Sequence, residues 1–363
     1  MTTFKSFAVC EKGLEDISVR EISELIDAKA IFQGTLLSFD VKKLDDLCFL
    51  CYKTQSLRRA GLLLSSFDFK TVEDIEKHFR KIDLLRAKGK TVTIECSRNG
   101  EHDFKSVDVE HALGKVIAEC GGNAAYKNAD VVYYVHIENE HCTIGIDFVG
   151  FDMALRDYKV FSHAASLKGT IAYGIVRIAG YDGKQLMVST FTKGGIIEIE
   201  AALFVLGKAV NHYRKDKFAF WKLEEFAGKD ATDFFEKFDK ESKKKLKLRG
   251  ISIDLRDVTA GKKNAKIAGV ERMIMFSRIE NDWMDVKFAD KEIDILVAQP
   301  IGKEFKDLFY QADYVAKKVV VVTTGQSCLE DAKKFKFSLL EERTLERGQG
   351  KLLIQVFGKL DWD

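Results

Sequence analysis

An alternation of short apolar runs with amphipathic stretches, between residues 167 and 323, constrains the fold of this chain most. Each apolar run has the length of a strand, and the stretches between them repeat apolar residues at the helical period. The predicted strands are 185–190, 250–254, 273–276, 293–298 and 319–323, and the predicted helices are 167–179, 196–208, 257–268 and 305–317. This alternation predicts a parallel sheet with helices on both faces. A final hairpin, 337–345 and 351–360 around 348–350, is predicted to add an antiparallel edge.

The first 150 residues follow a different order of elements. The predicted elements are a strand 4–9, a helix 14–26, a strand pair within 30–40 and a helix 41–50, then a helix 71–85, a strand 91–96, a helix 106–119 and a hairpin 131–138 with 141–148. This order predicts two small α+β modules. The polar and irregular stretch that follows is interpreted as a connector to the second half of the chain.

The composition excludes several classes of protein. Of 363 residues, 46% are hydrophobic and 31% are charged, so the chain can bury a core and is neither disordered nor fibrous. No apolar run reaches the length of about 20 residues that a membrane helix needs. The N-terminus lacks the apolar core of a signal peptide, and seven scattered cysteines are typical of reduced cytoplasmic thiols. We therefore predict a cytoplasmic protein with no membrane partner.

Two cysteines, Cys48 and Cys51, have the spacing of half a zinc site. No second pair lies at zinc-finger spacing, and a structural zinc ion needs four ligands. Free cysteines are usually buried, so both are interpreted as core thiols and no metal site is predicted.

Charge is unevenly distributed, although the net charge is only +2. Residues 51–100 contain eleven Lys or Arg and six Asp or Glu. Such a local basic patch fits a localised contact with phosphate groups. An ordinary solvated face is the alternative interpretation.

Five segments of the second half resemble one enzyme family. They are DYKVFSH at 157–163, LKGTIA at 167–172, GGIIEIEAA at 194–202, FAFWK at 218–222 and NAKIAGV at 264–270. In this order they resemble the THUMP-domain RNA methyltransferases, S-adenosylmethionine-dependent enzymes that methylate the exocyclic N2 of a guanosine, mostly in tRNA. The resemblance covers nearly the whole chain.

The resemblance implies an α/β fold with a Rossmann-like class I methyltransferase domain preceded by α+β ferredoxin-like and THUMP modules. It implies an N-terminal ferredoxin-like domain at 1–60, a THUMP RNA-binding domain at 61–150, a linker at 151–168 and the methyltransferase-like domain at 169–363.

The family's first cofactor loop reads Asp-Pro-x-Cys-Gly-Ser-Gly-Thr, and its glycines let the backbone approach S-adenosylmethionine closely. Here residues 188–195 read Val-Ser-Thr-Phe-Thr-Lys-Gly-Gly. Gly194 keeps one glycine and is the candidate for this contact. Thr192 replaces the other glycine, and Lys193 adds a cation near the place of a sulfonium.

Two further cofactor contacts are implied by position. The family places an acidic residue that binds the ribose hydroxyls after the second strand, and the equivalent position here is Ser252. Asp254 is the candidate in its place if the strand continues through it. Glu280, after the third strand, is the candidate contact to adenine.

The family's catalytic motif, Asn-Pro-Pro-Tyr, follows the fourth strand. Its amide and carbonyl oxygens accept both N–H bonds of the exocyclic amine, and its aromatic ring stacks on the flipped base. Residues 298–302 read Ala-Gln-Pro-Ile-Gly. Gln299 and Pro300, the only proline of the chain, are therefore the candidate catalytic residues, while the second proline and the aromatic residue are missing.

The resemblance implies tRNA, or another structured RNA, as partner, and it leaves open a small activating protein. The acceptor end of tRNA would be bound by its shape and its single-stranded 3′ end. The candidate RNA-binding residues are Arg58, Arg59, Arg80, Lys81, Arg86 and Lys88.

Two hypotheses about activity stay open at this point. In the first, the motifs are eroded but methyl transfer persists through Gln299 and Pro300. In the second, the domain keeps its fold but has lost its cofactor, and the chain is an inactive tRNA-binding module or scaffold. Val188, Thr192 and Ser252 favour the second hypothesis.

Overall fold

The computed structural model describes residues 3–125, 128–161, 163–300, 304–347 and 350–359. The chain forms two compact units. The first unit contains residues 1–10, 18–153 and 211–239, and the second contains residues 11–17, 154–210 and 240–363. Residues 211–239, within the range predicted for the methyltransferase-like domain, thus belong to the first unit.

The described residues form fifteen strands and eleven α-helices. The strands β1 to β15 are Phe4–Val9, Ile31–Gln33, Leu36–Val41, Arg59–Asp68, Thr91–Asn99, Asn123–Ala124, Val131–Glu138, His141–Asp147, Leu186–Thr190, Lys247–Ser252, Ile274–Arg278, Ile293–Ala298, Ala316–Thr323, Phe337–Arg347 and Gly350–Lys359. The helices α1 to α11 are Glu15–Ile26, Leu44–Lys53, Val72–Phe79, Ser106–Glu119, Gly169–Ile178, Ile196–Leu206, Ala231–Glu236, Leu255–Ile267, Met284–Lys287, Phe305–Val315 and Leu329–Lys334.

One continuous sheet of eight strands runs through the first unit, in the order β2-β3-β1-β4-β8-β7-β5-β6. Strand β4 lies at its centre, antiparallel to β1 on one side and to β8 on the other. The pattern analysis missed this strand. Because β4 joins the N-terminal strands to the later hairpin, the two modules expected from the sequence share one sheet.

The segment 211–239 contributes aromatic side chains to the first unit. Phe235 is fully buried, and its ring stacks on that of Tyr52 with centroids 4.2 Å apart. Phe220 is equally buried and packs against Phe148 and Phe226. Buried aromatic contacts of this kind bind the segment to the unit through apolar area as well as ring geometry.

The second unit contains a seven-stranded sheet in the order β11-β10-β9-β12-β13-β15-β14. Strands β11, β10, β9, β12 and β13 are parallel, and β15 and β14 are antiparallel to their neighbours. The predicted parallel sheet and its antiparallel edge are confirmed. The predicted hairpin tip falls on residues 348–350, of which only Gly350 is described.

Apolar cores cover both faces of this sheet. One core contains Met187 and Val297 with side chains of α5 and α6, and the other contains Val188 and Leu296 with side chains of α10. Alternate residues of β9 and β12 thus point into opposite cores, as expected for a strand buried on both faces.

Cys48 and Cys51 are buried free thiols, as predicted. Burial raises the pKa of both thiols well above the usual value. In the described part of the chain no cluster of three or more His, Cys, Asp or Glu side chains is arranged to hold a metal ion. None of the described helices is long and apolar enough to cross a membrane.

Candidate functional site

The loops that follow β9, β10, β11 and β12 share one edge of the second sheet. The amide of Thr192 donates to the carbonyl of Ile251 at 3.1 Å, and the amide of Ile279 donates to the carbonyl of Ser252 at 3.2 Å. The hydroxyl of Thr190, at the end of β9, hydrogen-bonds to Asn281. Ligands of open α/β sheets bind beyond the carboxyl ends of the strands, so this edge is the candidate site.

The loop between β9 and α6 is held in a strained path. Phe191, Gly194 and Gly195 have φ values of +58°, +82° and +74°. This left-handed region is unfavourable for a residue with a Cβ, so the phenylalanine is strained there. The two glycines let the chain turn directly into α6, which begins at Ile196.

Lys193 connects this loop to the candidate catalytic segment. Its ammonium donates to the carbonyl of Gln299 at 2.8 Å, and the residue is only 7% exposed. Burial lowers the pKa of Lys193 to about 8, although Asp257 and Glu304 act in the opposite direction. Lys193 is therefore mostly charged at neutral pH. Its hydrogen bond to the Gln299 carbonyl offsets part of the cost of burying the charge.

A strap formed by Phe161 and residues 163–166 covers the loop. The hydroxyl of Ser166 donates to the carbonyl of Lys193 at 2.8 Å. The side-chain amide of Gln299 donates to the carbonyl of Ala165 at 2.9 Å. The strap, the loop and the candidate catalytic segment are thus each joined to the other two by hydrogen bonds.

Asn264, a fully buried residue of α8, fixes the strap against the loop. Its amide nitrogen donates to the carbonyls of Phe161 and Gly194, both at 2.8 Å, and its oxygen accepts from the amide of Phe161 at 3.0 Å. A Cβ at Gly194 would lie 3.0 Å from the Phe161 carbonyl oxygen. The close approach of the strap therefore explains why residue 194 is a glycine, without reference to a ligand.

Glu198, in the first turn of α6, is buried beneath the loop. Its Oε1 makes no hydrogen bond with the described residues, and a Cβ at Gly250 would lie 2.3 Å from it. Burial raises the pKa of the Glu198 carboxyl to about 7. The site therefore contains a carboxyl group that holds its proton at a higher pH than an exposed glutamate does.

The structure corrects the expected place of Asp254, whereas Glu280 lies after β11, as the sequence predicted. Strand β10 ends at Ser252, so Asp254 does not continue it and instead caps α8, accepting from the amide of Arg256 at 2.8 Å. The Arg256 guanidinium binds the same carboxylate at 2.7 Å and helps to lower the pKa of Asp254. Glu280 is exposed and precedes the 3₁₀ turn Asn281–Trp283.

The two candidate catalytic residues differ in accessibility. Gln299 is half-buried and joined to Lys193 and Ala165 as described, and Pro300 is buried. The expected continuation through Ile301 and Gly302 lies outside the described residues. Of the predicted contacts, the structure brings Gly194 and Gln299 together through Lys193, and Asp254 lies close enough to His163 of the strap for an electrostatic interaction.

The pattern analysis did not assign roles to Asn264, Ser166 or Glu198. Asn264 is the first residue of the family segment at 264–270, and this position could have marked it as a candidate. Glu198 also carried a signal, since it and Glu200 are the two charged residues of an otherwise apolar α6 and a buried charge needs a partner or a shifted pKa.

The basic residues of the first unit fall into two groups. Arg59 is bound by Asp147 at 2.5 Å and by Glu95 at 2.6 Å, and Arg58 by Asp152 at 2.7 Å, so both have structural partners. The other candidates lie directly after α3, or within and directly after the 3₁₀ turn Leu85–Ala87. They are the exposed residues Arg80, Lys81, Arg86 and Lys88.

Comparison with known proteins identifies the domains. Residues 69–147 match the family model of the THUMP domain, and residues 156–307 match that of the RMKL-like methyltransferase domain. The chain is a THUMP-domain protein with an RMKL-like methyltransferase domain.

Two curated relatives extend the similarity to most of the chain. A tRNA (guanine(6)-N2)-methyltransferase of Methanocaldococcus jannaschii is 26% identical over 97% of this chain and 98% of the relative. A protein of the same name from Archaeoglobus fulgidus is 27% identical over 81% of this chain and 73% of the relative. Among solved structures, the methyltransferase candidate SMU.472, in complex with SAH, covers 100% of both chains with a TM-score of 0.80 at 16% identity.

The family of the RMKL-like domain implies S-adenosylmethionine as cofactor, and the described residues beside the loop between β9 and α6 leave no room for it. The cavity beside the loop between β9 and α6 has a volume of about 10 Å³. It is lined by Leu167, Ser189, Phe191, Thr192, Lys193, Ile196, Ile197, Glu198 and Gln299. Pockets for ligands of cofactor size are roughly 300–1,000 Å³, whereas a cavity of about 10–15 Å³ holds one water molecule.

Proposed function

We propose that this chain is a tRNA-binding protein, with its THUMP domain as the RNA-binding part. The observation that carries the proposal is the end-to-end similarity to a protein named tRNA (guanine(6)-N2)-methyltransferase, together with the matched THUMP domain. The printed name of that relative specifies a guanine at position 6, so the proposed target region is the acceptor stem of tRNA.

The candidate RNA contacts are those basic residues whose charge is least neutralised. Among the described residues, no carboxylate lies within 4 Å of the ammonium groups of Lys81 and Lys88, and both side chains are exposed. Arg80 is bound by Glu76 and Glu119, and Arg86 by Glu225. Lys81 and Lys88 are therefore the residues that we assign most directly to phosphate groups.

One open groove in the first unit supports this assignment. Lys81, His78 and Arg86 line this groove, which has a volume of about 450 Å³. In a second groove of about 530 Å³, Arg86 and Lys90 are paired with Glu225 and Glu224. Grooves that combine cations with apolar side chains suit an RNA backbone and unstacked bases better than a small apolar ligand.

The test is tRNA binding at several salt concentrations. The double variant Lys81→Glu/Lys88→Glu should bind tRNA at least about tenfold more weakly, with a salt slope reduced by about 1–2, because two phosphate contacts are lost. Lys29→Glu, an exposed lysine of the same unit, is the matched control and should change binding little. Equal binding by the double variant and the control would refute the assignment, and equal affinity for tRNA and for unstructured RNA would refute the proposed function.

Guanine-N2 methyl transfer is a second candidate function. It is favoured by the names of the relatives and by Gln299, whose Oε1 makes no hydrogen bond with the described residues and could accept from an exocyclic amine. It requires that the RMKL-like domain bind S-adenosylmethionine. A cytoplasmic location and a small activating protein partner stay predictions.

A further inference from the structure

We propose that the RMKL-like domain of this chain works without S-adenosylmethionine, because the Lys193 ammonium is a built-in cation that replaces the sulfonium cofactor and locks the loop shut. The inference decides between the two candidate functions above. It rests on the geometry of the second unit and is independent of tRNA binding.

The first step concerns the backbone groups of the loop. The carbonyls of Lys193 and Gly194 already accept from Ser166 and Asn264, and the amide of Thr192 already donates to Ile251. A cofactor held by these backbone groups would compete with hydrogen bonds that the protein already makes with itself. A displaced bond would leave a buried polar group unpaired, which opposes cofactor binding.

The second step concerns charge. The Lys193 ammonium donates to the Gln299 carbonyl, in the segment that corresponds to the family's catalytic motif. Two positive charges at close range repel each other more strongly where water is excluded. The resident ammonium thus opposes a second cation, and it takes one of the two lone pairs of the Gln299 carbonyl oxygen.

The third step concerns space. The side chains of Phe191 and Thr192 line the cavity, as does that of Glu198, and the volume left beside them is about 10 Å³. Phe191 reaches this position only through an unfavourable φ of +58°. Opening the site would therefore require the loop, the strap and the Gln299 segment to separate together, since hydrogen bonds join all three.

The experiment measures S-adenosylmethionine binding by equilibrium dialysis with the labelled cofactor, using the full chain alone and with tRNA. The M. jannaschii relative serves as the positive control. We expect a dissociation constant weaker than about 1 mM in both conditions. Binding at about 1 mM or tighter, in either condition, would overturn the proposal.

A second measurement reports on Lys193 directly. Amine-reactive labelling of the folded chain, read by mass spectrometry, should modify Lys193 at least tenfold more slowly than Lys262, an exposed lysine of α8. Gln299→Ala removes the hydrogen bond to Ala165 and should speed labelling at Lys193 severalfold without changing Lys262. Labelling of wild-type Lys193 as fast as Lys262 would equally overturn the proposal.

The two proposals fail in different ways. If the chain binds neither tRNA nor the cofactor, the proposed function is wrong and the inference stands. If it binds both, the inference is wrong and methyl transfer becomes the function to measure.

Discussion

At the residue scale, the site is dominated by two buried ionisable groups of opposite kind. Lys193 satisfies its charge with a carbonyl oxygen, and Glu198 is pushed towards its neutral form by burial. A charged group without compensation in such a place would cost several kcal/mol, so each group shifts its pKa or finds a partner. Lys193 is thus stabilised by a hydrogen bond within the site, whereas the buried Oε1 of Glu198 and the buried hydroxyl of Thr192 make no hydrogen bond with the described residues.

The shifted carboxyl predicts a pH dependence of stability. The pKa of Glu198 rises from 4.5 to about 7 on folding, so between these values the native chain holds a proton that the unfolded chain has released. The contribution of Glu198 to the free energy of unfolding is therefore largest below about pH 4.5. It falls by up to about 3 kcal/mol as the pH rises to 7.

Glu198→Gln should remove this contribution. Urea unfolding of wild type and variant at pH 5 and pH 8 should show the variant gaining stability relative to wild type at the higher pH. Glu271→Gln, an exposed glutamate in the same unit, is the control and should track wild type at both values. A constant difference between wild type and Glu198→Gln at the two pH values would show that Glu198 titrates normally.

At the scale of elements, the turn between β9 and α6 decides the shape of the site. Helix α6 follows Gly195 without a side-chain cap, and the turn is held by the packing around it. A Cβ at Gly195 would lie 2.7 Å from the Phe276 ring and 3.0 Å from the Cα of Gly261. The start of α6 is therefore packed against β11 and α8 more closely than any larger residue allows.

Gly195→Ala should lower the free energy of unfolding by about 2–4 kcal/mol, since it adds both a positive-φ penalty and an overpacked contact. Gly114→Ala is the matched control, because a Cβ at this position in α4 meets no atom within 4 Å. The control should stabilise the chain by about 0.4–1 kcal/mol, since alanine is the better helix former. Equal effects of the two substitutions in chemical denaturation would contradict this account of the turn.

At the scale of the whole molecule, the chain builds each unit from segments that are distant in sequence. Residues 211–239 return to the first unit from within the range of the second. The eight-stranded sheet likewise joins strands from both ends of the first 150 residues. Because of this non-local pairing, the cooperative unfolding of a unit depends on segments that are distant from one another in the sequence.

Phe235→Ala tests this organisation. Removing a fully buried ring that stacks on Tyr52 should cost about 3–5 kcal/mol. Hydrogen exchange should then accelerate across residues 18–153 as well as 211–239. Tyr213→Ala removes an exposed aromatic ring of the same segment and should change exchange little. Acceleration confined to residues 211–239 would show that the segment is an independent appendage.

Local periodicity predicted some elements to the residue and missed others. The predicted bounds of α4 and β12 agree with the structure at both ends, because each has a regular apolar pattern. Strand β4 was missed, since its register shifts between Leu63 and Ser65 and the shift interrupts the alternation that marks a strand. Asp254 was assigned to a strand that in fact ends at Ser252, and the position of a strand end is weakly encoded in sequence.

By itself, the sequence determined the parallel sheet of the second unit, its antiparallel edge and the edge at which the candidate loops meet. These features follow from the period of apolar residues and from chain order, which are local properties. Only the tertiary structure decided that a strap covers Gly194, that Lys193 binds the Gln299 carbonyl and that Glu198 is buried near its neutral form. Those features depend on the burial and on the contacts of residues far apart in the chain, and no local pattern records them.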